Sequence, residues 1–183
     1  LPTTDPEHHT LGVKETLALP RRSIEERFGL RGDEGADFEV LGCTGGIPGG
    51  GFLYTNRDTV SIGVVLSLTG LAESGRRPED VLADFKAHPA IAPYLRGAEI
   101  TEYSAHLIPE GGYRSMPPLS TDGMLIAGDA AAMCLAAGIW LEGVNFAIGS
   151  GLAAGRAAAD AIAADSRDLS GYRTRLEDGF VLT

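Results

Sequence analysis

A short apolar run ends in glycine and aspartate in the stretch "DGMLIAGDAA", from Asp122 to Ala131, and limits the folds that the chain can adopt. Met124 to Ala127 predict a buried strand, with Gly128 and Asp129 at its C-terminal end, where ligands of α/β folds collect. Two interpretations of Asp129 stay open at this point. It either caps a helical turn over Ala130 to Ala132, or accepts hydrogen bonds from a ribose or polyol hydroxyl.

A second feature follows fourteen residues after Asp129, where Gly143 opens the segment "VNFAIGSGLAAGRAAADAIAA". Its alanine content predicts a long helix that packs closely against a flat surface. A helix N-terminus offers unpaired N–H groups and a partial positive charge that stabilises a nearby anion by about 0.3 to 1 kcal/mol. Gly143 has no side chain, so a flat ring could approach there, and Asn145 could donate or accept a hydrogen bond. One ligand could therefore span Asp129 and this helix terminus.

Two glycine-rich stretches resemble phosphate-binding loops but lack the required spacing. "GSGLAAG" reads G-x-G-x-x-x-G and lies inside the predicted helix, so we interpret Gly149, Gly151 and Gly155 as sites of close helix packing. "GGIPGGG", from Gly45 to Gly51, predicts a turn before a hairpin. The chain has no pyrophosphate loop of its own.

The rest of the chain alternates strand and helix patterns. Alternation of apolar and polar residues predicts strands, and apolar residues four apart predict helices. The predicted strands are Leu11 to Leu19, Phe38 to Cys43, a hairpin turning at Asn56 to Asp58, and Glu99 to Pro109; the helices lie in "RRSIEERFGL" and "RPEDVLADFKAHPAIAPYL". We expect an α/β fold of the α+β kind: an antiparallel sheet with helices (1–118), a strand–loop–helix unit (119–166) and a tail with a short polar helix (167–183).

Composition excludes some classes of partner. The 25 acidic residues outnumber 15 basic ones, giving a net charge of −10, and basic residues cluster only as adjacent pairs, so nucleic acid is not an expected partner. No apolar run reaches the roughly 18 to 20 residues of a membrane span, and no secretory signal is evident. We expect a soluble, cytoplasmic protein, with peripheral contact to a membrane left open.

The sequence does not identify a catalytic residue. Cys43 and Cys134 are too far apart for a CxxC site, and the four histidines lack metal-ligand spacing, so we expect reduced thiols and no metal. Two interpretations stay open for a group of polar aromatic residues, which either line a substrate or, as we favour, are ordinary half-buried positions: Tyr54, Tyr103, His106 and Tyr113. Trp140 could pack on a bound ring or equally in the core.

Four stretches carry a family resemblance: "GGGFLYTNRDTVSIGVV", "FKAHPAIAPYL", "EYSAHLIPEGGYRSMPPLSTDGMLIAGDAA" and "EGVNFAIGSGLAAG", covering most of Gly49 to Gly155. They resemble the FixC and electron-transfer-flavoprotein:quinone oxidoreductase group, close to the geranylgeranyl reductases, which are all FAD-dependent. The resemblance implies an FAD-binding domain of the glutathione-reductase or p-hydroxybenzoate-hydroxylase type beside the substrate-domain sheet.

The resemblance also implies roles for the residues at the two features described first. Gly128 and Asp129 would hold the ribityl chain of FAD, and the backbone of Gly143, Val144 and Asn145 would stabilise negative charge at N1 and O2 of the reduced flavin. The implied activity is electron transfer between a carrier protein and a quinone. Reduction of a lipid alkene, and a non-catalytic binding module without the cofactor, are the alternatives.

The family's N-terminal βαβ unit, with its G-x-G-x-x-G motif, has no counterpart here, and neither has the iron–sulfur domain of the quinone oxidoreductases. We therefore expect a middle-to-C-terminal fragment that binds FAD weakly or not at all by itself. Homo-oligomer formation is left open.

Overall fold

The computed structural model describes residues 5–136 and 141–182. Trp140, for which two interpretations were given, lies outside the described residues. The chain forms two compact units, one of Thr10–Leu107 and one of Ile108–Thr183 with the residues up to His9. The division predicted at 118/119 and 166/167 stays a prediction.

The first unit is built on a five-stranded sheet with the order β2-β3-β4-β1-β5. Its strands are β1 (His9–Ala18), β2 (Asp37–Val40), β3 (Gly49–Thr55), β4 (Thr59–Ser67) and β5 (Glu99–Pro109). The β3–β4 hairpin is antiparallel and turns at Asn56 to Asp58, as predicted. β1 pairs antiparallel with β4, Val13 lying opposite Val64.

Helices cover one face of this sheet. They are α1 (Arg21–Phe28), α2 (Leu68–Ser74), α3 (Pro78–Ala87) and α4 (Ala92–Leu95). Alternate residues of β4, such as Ile62 and Val64, are fully buried and form a core with Val81 and Phe85 of α3. Burial of these apolar side chains, at about 25 cal/mol per Å² of apolar surface, is the main force holding this layer together.

The opposite face of the sheet carries a pair of stacked aromatic rings. Gly63 in β4 lies beneath the Phe52 ring, which a β-carbon at Gly63 would approach to within 2.3 Å. Phe52 stacks on Tyr54 with ring centroids 5.5 Å apart. Glycine at position 63 thus lets an aromatic pair lie flat on this face of the sheet.

The described residues of the second unit from 120 to 182 form two short hairpins, one 3₁₀ turn and two helices. In chain order these are β6 (Ser120–Thr121), β7 (Met124–Leu125), a 3₁₀ turn (Gly128–Ala131), β8 (Leu135–Ala136), β9 (Leu141–Glu142), α5 (Val144–Ala163) and α6 (Gly171–Glu177). Its core joins Met133 to α6 through Tyr172 and Leu176, both fully buried. The Tyr172 hydroxyl donates to the Ile126 carbonyl at 3.1 Å, which satisfies the polar end of a buried ring.

The predicted fold class, an antiparallel sheet with helices joined to a strand–loop–helix segment, is confirmed. The buried strand predicted over Met124 to Ala127 is wrong in extent. The strand β7 has two residues, and Met124 is 52% exposed because β7 pairs only with the equally short β6 within the described chain. The sequence did not predict α2, whose seven residues are too few for a clear periodic pattern.

Three glycines of α5 were predicted to mediate close helix packing, and among the described residues Gly149 is closely packed, against Phe180 and Val181 beyond the end of α6. A β-carbon at Gly149 would come within 2.7 Å of the Phe180 ring. No described residue comes within 4 Å of a β-carbon placed at Gly151 or Gly155, so the prediction is wrong for those two positions. Among the described residues, no helix is both long and apolar enough to cross a membrane.

Candidate functional site

Gly128 is fixed in place by the long helix α5. Its N–H donates to the Ser150 hydroxyl at 3.0 Å, and Ser150 is fully buried. Its φ of 61° lies in the left-handed region, and a β-carbon there would lie 3.3 Å from that of Ala147. Glycine is therefore favoured at position 128 by conformation and by the close approach of α5.

Asp129 follows inside the 3₁₀ turn rather than ahead of it. The N-cap position belongs to Ala127, and no side chain caps the turn, so the interpretation of Asp129 as a helix cap is wrong. Its side chain is exposed. Within the described part of the chain, this carboxylate makes neither a hydrogen bond nor an ion pair, which leaves it available to a ligand.

The loop after Asp129 folds back so that its two ends meet. Antiparallel pairing of β8 with β9 places Leu135 opposite Glu142. A β-carbon at Gly143 would therefore lie 3.2 Å from Asp129 Oδ1 and 3.6 Å from Cys134 Sγ. The structure thus brings Asp129 and Gly143 together, as expected for one ligand contacting both.

Helix α5 begins at the same point. Gly143 is its N-cap and supplies no side-chain cap, while the Gly143 carbonyl accepts the first helical hydrogen bond from Ala147 at 2.8 Å. Val144 is 76% exposed and Asn145 is also exposed. The unpaired N–H groups of the first turn and the positive end of the helix dipole therefore lie beside the Asp129 carboxylate.

Cys134 is a site neighbour that the sequence analysis did not predict. It is buried, and burial, followed by the negative charges of Asp129 and Glu110, raises the pKa of its thiol to about 11. The thiol is therefore neutral at physiological pH and acts as a small apolar group. A single cysteine belongs to no motif with a recognisable spacing, so the sequence does not indicate that Cys134 lies at the site. The pairing of β8 with β9 brings it there.

A cavity of about 290 Å³ adjoins this region within the second unit. Its lining is mainly apolar and includes Tyr113, Met116, Met133, Cys134 and Phe146. Among the residues that the structure describes, no cluster of histidine, cysteine and acidic side chains could hold a metal ion.

The four aromatic candidates do not form one cluster. Tyr103 in β5 faces the helical layer, where its hydroxyl donates to Glu79 at 3.3 Å. His106, three residues along the strand, and Tyr54, next to the buried Leu53, lie on the opposite face. Tyr113 belongs to the second unit, where its hydroxyl oxygen accepts a hydrogen bond from Arg173 at 2.9 Å.

Comparison with known proteins gives consistent sequence relatives. A FixC protein of Escherichia coli is 44% identical over 173 residues, covering 92% of this chain and 40% of that protein. A probable electron transfer flavoprotein-quinone oxidoreductase, YdiS, from the same species is 41% identical over 189 residues, covering the whole chain and 43% of that protein. FixC of Azorhizobium caulinodans is 42% identical over 186 residues, with coverage of 97% and 41%.

Solved structures agree on the fold. A geranylgeranyl bacteriochlorophyll reductase-like protein of Thermoplasma acidophilum matches with a TM-score of 0.62 at 14% identity, over 95% of this chain and 39% of that one. A triple mutant of the flavin-dependent brominase Bmp2 matches with a TM-score of 0.55 at 18% identity, over 93% and 40%. No family model matches the chain.

The resemblance to the FixC and electron-transfer-flavoprotein:quinone oxidoreductase group is confirmed by these identities. The chain spans about two fifths of the length of the relatives it matches.

Proposed function

We propose that the chain is part of an FAD-dependent oxidoreductase that passes electrons through its flavin between a carrier protein and a quinone. The observation that carries the proposal is the Asp129 carboxylate, without a protein partner among the described residues, next to Gly143 at the start of α5. The relatives named as FixC and as a flavoprotein–quinone oxidoreductase support the same proposal.

The residues present fit a flavin. An exposed carboxylate at Asp129 suits the hydroxyls of a ribityl chain, which need acceptors. Gly143 supplies an edge without a β-carbon, so a planar ring can approach the backbone. Gly128 keeps the turn against α5 through its bond to Ser150, and so fixes the direction in which Asp129 points.

The N-terminus of α5 supplies a partial positive charge at the proposed flavin site. The flavin, when bound, supplies the redox chemistry, and the protein tunes it by charge and hydrogen bonds. The N–H groups of Val144 and Asn145 point along the helix dipole and would stabilise negative charge at the N1 and O2 edge of the reduced ring. Neutral Cys134 adds no competing charge beneath this edge, since burial raises its pKa to about 11.

The electron donor and the electron acceptor are proposed from the names of the relatives and not from a binding pocket in the structure. An electron-transfer flavoprotein as donor and a quinone as acceptor match the name of a relative 41% identical to this chain. Reduction of a lipid alkene is the second candidate, suggested by the reductase-like fold neighbour, but that neighbour is only 14% identical. We place the protein in the cytoplasm, in contact with a membrane surface when its acceptor is a quinone.

Titration of FAD tests the proposal. The chain, and a version extended by its upstream coding sequence, are titrated while flavin fluorescence is followed. We expect the extended protein to bind and Asp129→Ala to weaken that binding about tenfold, as loss of a charged hydrogen-bond acceptor does. Asp122→Ala, which removes another exposed carboxylate seven residues upstream, is the matched control and should change nothing.

Binding that is absent from the extended protein would overturn the proposal and favour a non-catalytic binding module. Equal affinity of the Asp129→Ala and Asp122→Ala variants would show that the flavin lies elsewhere.

A further inference from the structure

Two buried hydroxyl groups hold the backbone that leads into Asp129. One belongs to Ser150 of α5 and the other to Tyr172 of α6, and both residues are fully buried. The Ser150 oxygen accepts a hydrogen bond from the Gly128 N–H at 3.0 Å. The Tyr172 hydroxyl donates to the Ile126 carbonyl at 3.1 Å. The two bonds therefore fix the backbone at two points directly before Asp129.

The two hydroxyls lie side by side. Burial raises the pKa of the Tyr172 phenol, and the Ser150 hydroxyl beside it opposes that rise. The phenol is therefore neutral at physiological pH, and its proton is available to the Ile126 carbonyl. The Ser150 proton goes to the Ala147 carbonyl of its own helix at 3.3 Å, which leaves the oxygen as an acceptor for Gly128. Each group thus uses its donor and acceptor capacity inside the second unit.

The turn that follows is held by its own backbone. The Gly128 carbonyl accepts from the Met133 N–H at 3.1 Å, and the Asp129 carbonyl accepts from the Ala132 N–H at 2.9 Å. The Asp129 side chain itself is exposed, so its direction is set by the backbone on both sides. Because Gly128 is buried, loss of the Ser150 oxygen would leave the Gly128 N–H without a partner and loosen the turn from α5.

We propose that Ser150 and Tyr172 are positioning residues for the Asp129 carboxylate, which they hold toward the ribityl chain of the bound flavin. The inference rests on the proposed function, since it concerns how Asp129 meets that ligand. A contact whose direction is fixed before binding loses less conformational freedom when the ligand binds. Flavin affinity should therefore depend on two fully buried side chains, one of them in the tail helix α6.

A double-mutant cycle in the extended protein tests the proposal. Ser150→Ala removes the acceptor of the Gly128 N–H, and we expect FAD to bind about tenfold more weakly in a fluorescence titration. In the Asp129→Ala background, Ser150→Ala should change the affinity no further, because the carboxylate that it positions is gone. A loss of affinity caused by general damage to the fold would persist in that background.

Tyr172→Phe is the second variant in the cycle. It removes only the hydroxyl and keeps the ring in the core, so it carries the same test if Ser150→Ala does not fold. We expect about a threefold loss of FAD affinity, since one neutral hydrogen bond to the Ile126 carbonyl is lost.

Thr44→Val is the matched control. Thr44 is a buried residue of the first unit, and its hydroxyl donates to the Ile47 carbonyl at 2.6 Å. This variant also loses a buried hydrogen bond, so it should destabilise the protein as Ser150→Ala does. We expect it to leave the FAD affinity unchanged.

Amide hydrogen exchange of the extended protein without FAD gives a readout that needs no flavin. The Gly128 N–H should exchange about tenfold faster in Ser150→Ala than in Thr44→Val, because only the first variant frees this group.

Three results would each overturn the inference while the proposed function stands: a further loss of affinity when Ser150→Ala is added to Asp129→Ala, equal affinities of Ser150→Ala and Thr44→Val, or equal exchange of Gly128 in those two variants. A parent protein without FAD affinity, or an Asp129→Ala variant that binds as tightly as the parent, would overturn the proposed function and this inference with it.

Discussion

At Gly143 a single added methyl group would lie 3.2 Å from the Asp129 carboxylate, closer than most real contacts of a β-carbon. The backbone there has a φ of −142°, so alanine is tolerated conformationally. We predict that Gly143→Ala lowers the FAD affinity of the extended protein about tenfold, or about 1.4 kcal/mol, because it crowds the carboxylate and covers the start of α5. The measurement is a flavin fluorescence titration.

Gly151→Ala is the matched control for this change. Position 151 lies inside α5, and no described residue comes within 4 Å of a β-carbon placed there, so the added methyl should raise the free energy of unfolding by about 0.5 to 1 kcal/mol and leave FAD affinity unchanged. Unchanged affinity in the Gly143→Ala protein would contradict the assigned site.

Cys134 gives a residue-scale prediction about pH. Its pKa is about 11 in the folded chain against a usual value of 9.0, chiefly because of burial. The folded state therefore keeps its thiol proton to higher pH than the unfolded state does. Unfolding releases this proton between pH 9 and 11, so the free energy of unfolding should fall as pH rises through that window.

Alkylation by iodoacetamide in the Cys43→Ser variant reports on Cys134 alone. We expect slow labelling at pH 8 and fast labelling in concentrated urea, since only the thiolate reacts. Fast labelling of the folded protein would show that Cys134 is neither buried nor neutral.

Helix α6 has a mostly polar sequence, but two of its side chains belong to the core of the second unit. Leu176 and Tyr172 are fully buried, and α6 packs on α5. We predict that Leu176→Ala lowers the free energy of unfolding by about 2 to 5 kcal/mol, because it leaves a cavity in a packed core. Thr174→Ala, on the exposed side of the same helix, should cost under about 0.5 kcal/mol. Urea denaturation checks both, and equal costs would contradict the packing.

Local sequence patterns predicted some helices and strands correctly and others only in part. The β3–β4 hairpin, β5 and the start of α5 at Gly143 were all predictable, because alternation and helix signals are local. The short strand β7 was overextended, since an apolar run cannot say whether a neighbouring strand exists to bury it. The tail helix α6 was predicted, but its two buried residues were not, because their partners lie far along the chain.

The sequence likewise predicted some features of the candidate site and not others. Gly128, Asp129, Gly143, Val144 and Asn145 were chosen from local motifs and from family resemblance. Their assignment to a flavin stays a prediction, although the structure does bring Asp129 and Gly143 together. That closure, and the presence of Cys134 beside it, depend on β8 pairing with β9, and two-residue strands leave no periodic signal.

At the scale of the whole molecule, we propose that this chain forms one side of a flavin site in a longer oxidoreductase. The chain spans about two fifths of its relatives, so the decisive sample is the extended protein. The most direct measurement is a crystal structure of that protein with FAD. We predict ribityl hydroxyls within hydrogen-bonding distance of the Asp129 carboxylate, and the pyrimidine edge of the ring facing the N–H groups of Val144 and Asn145. A flavin bound away from Gly128 to Asn145 would contradict it.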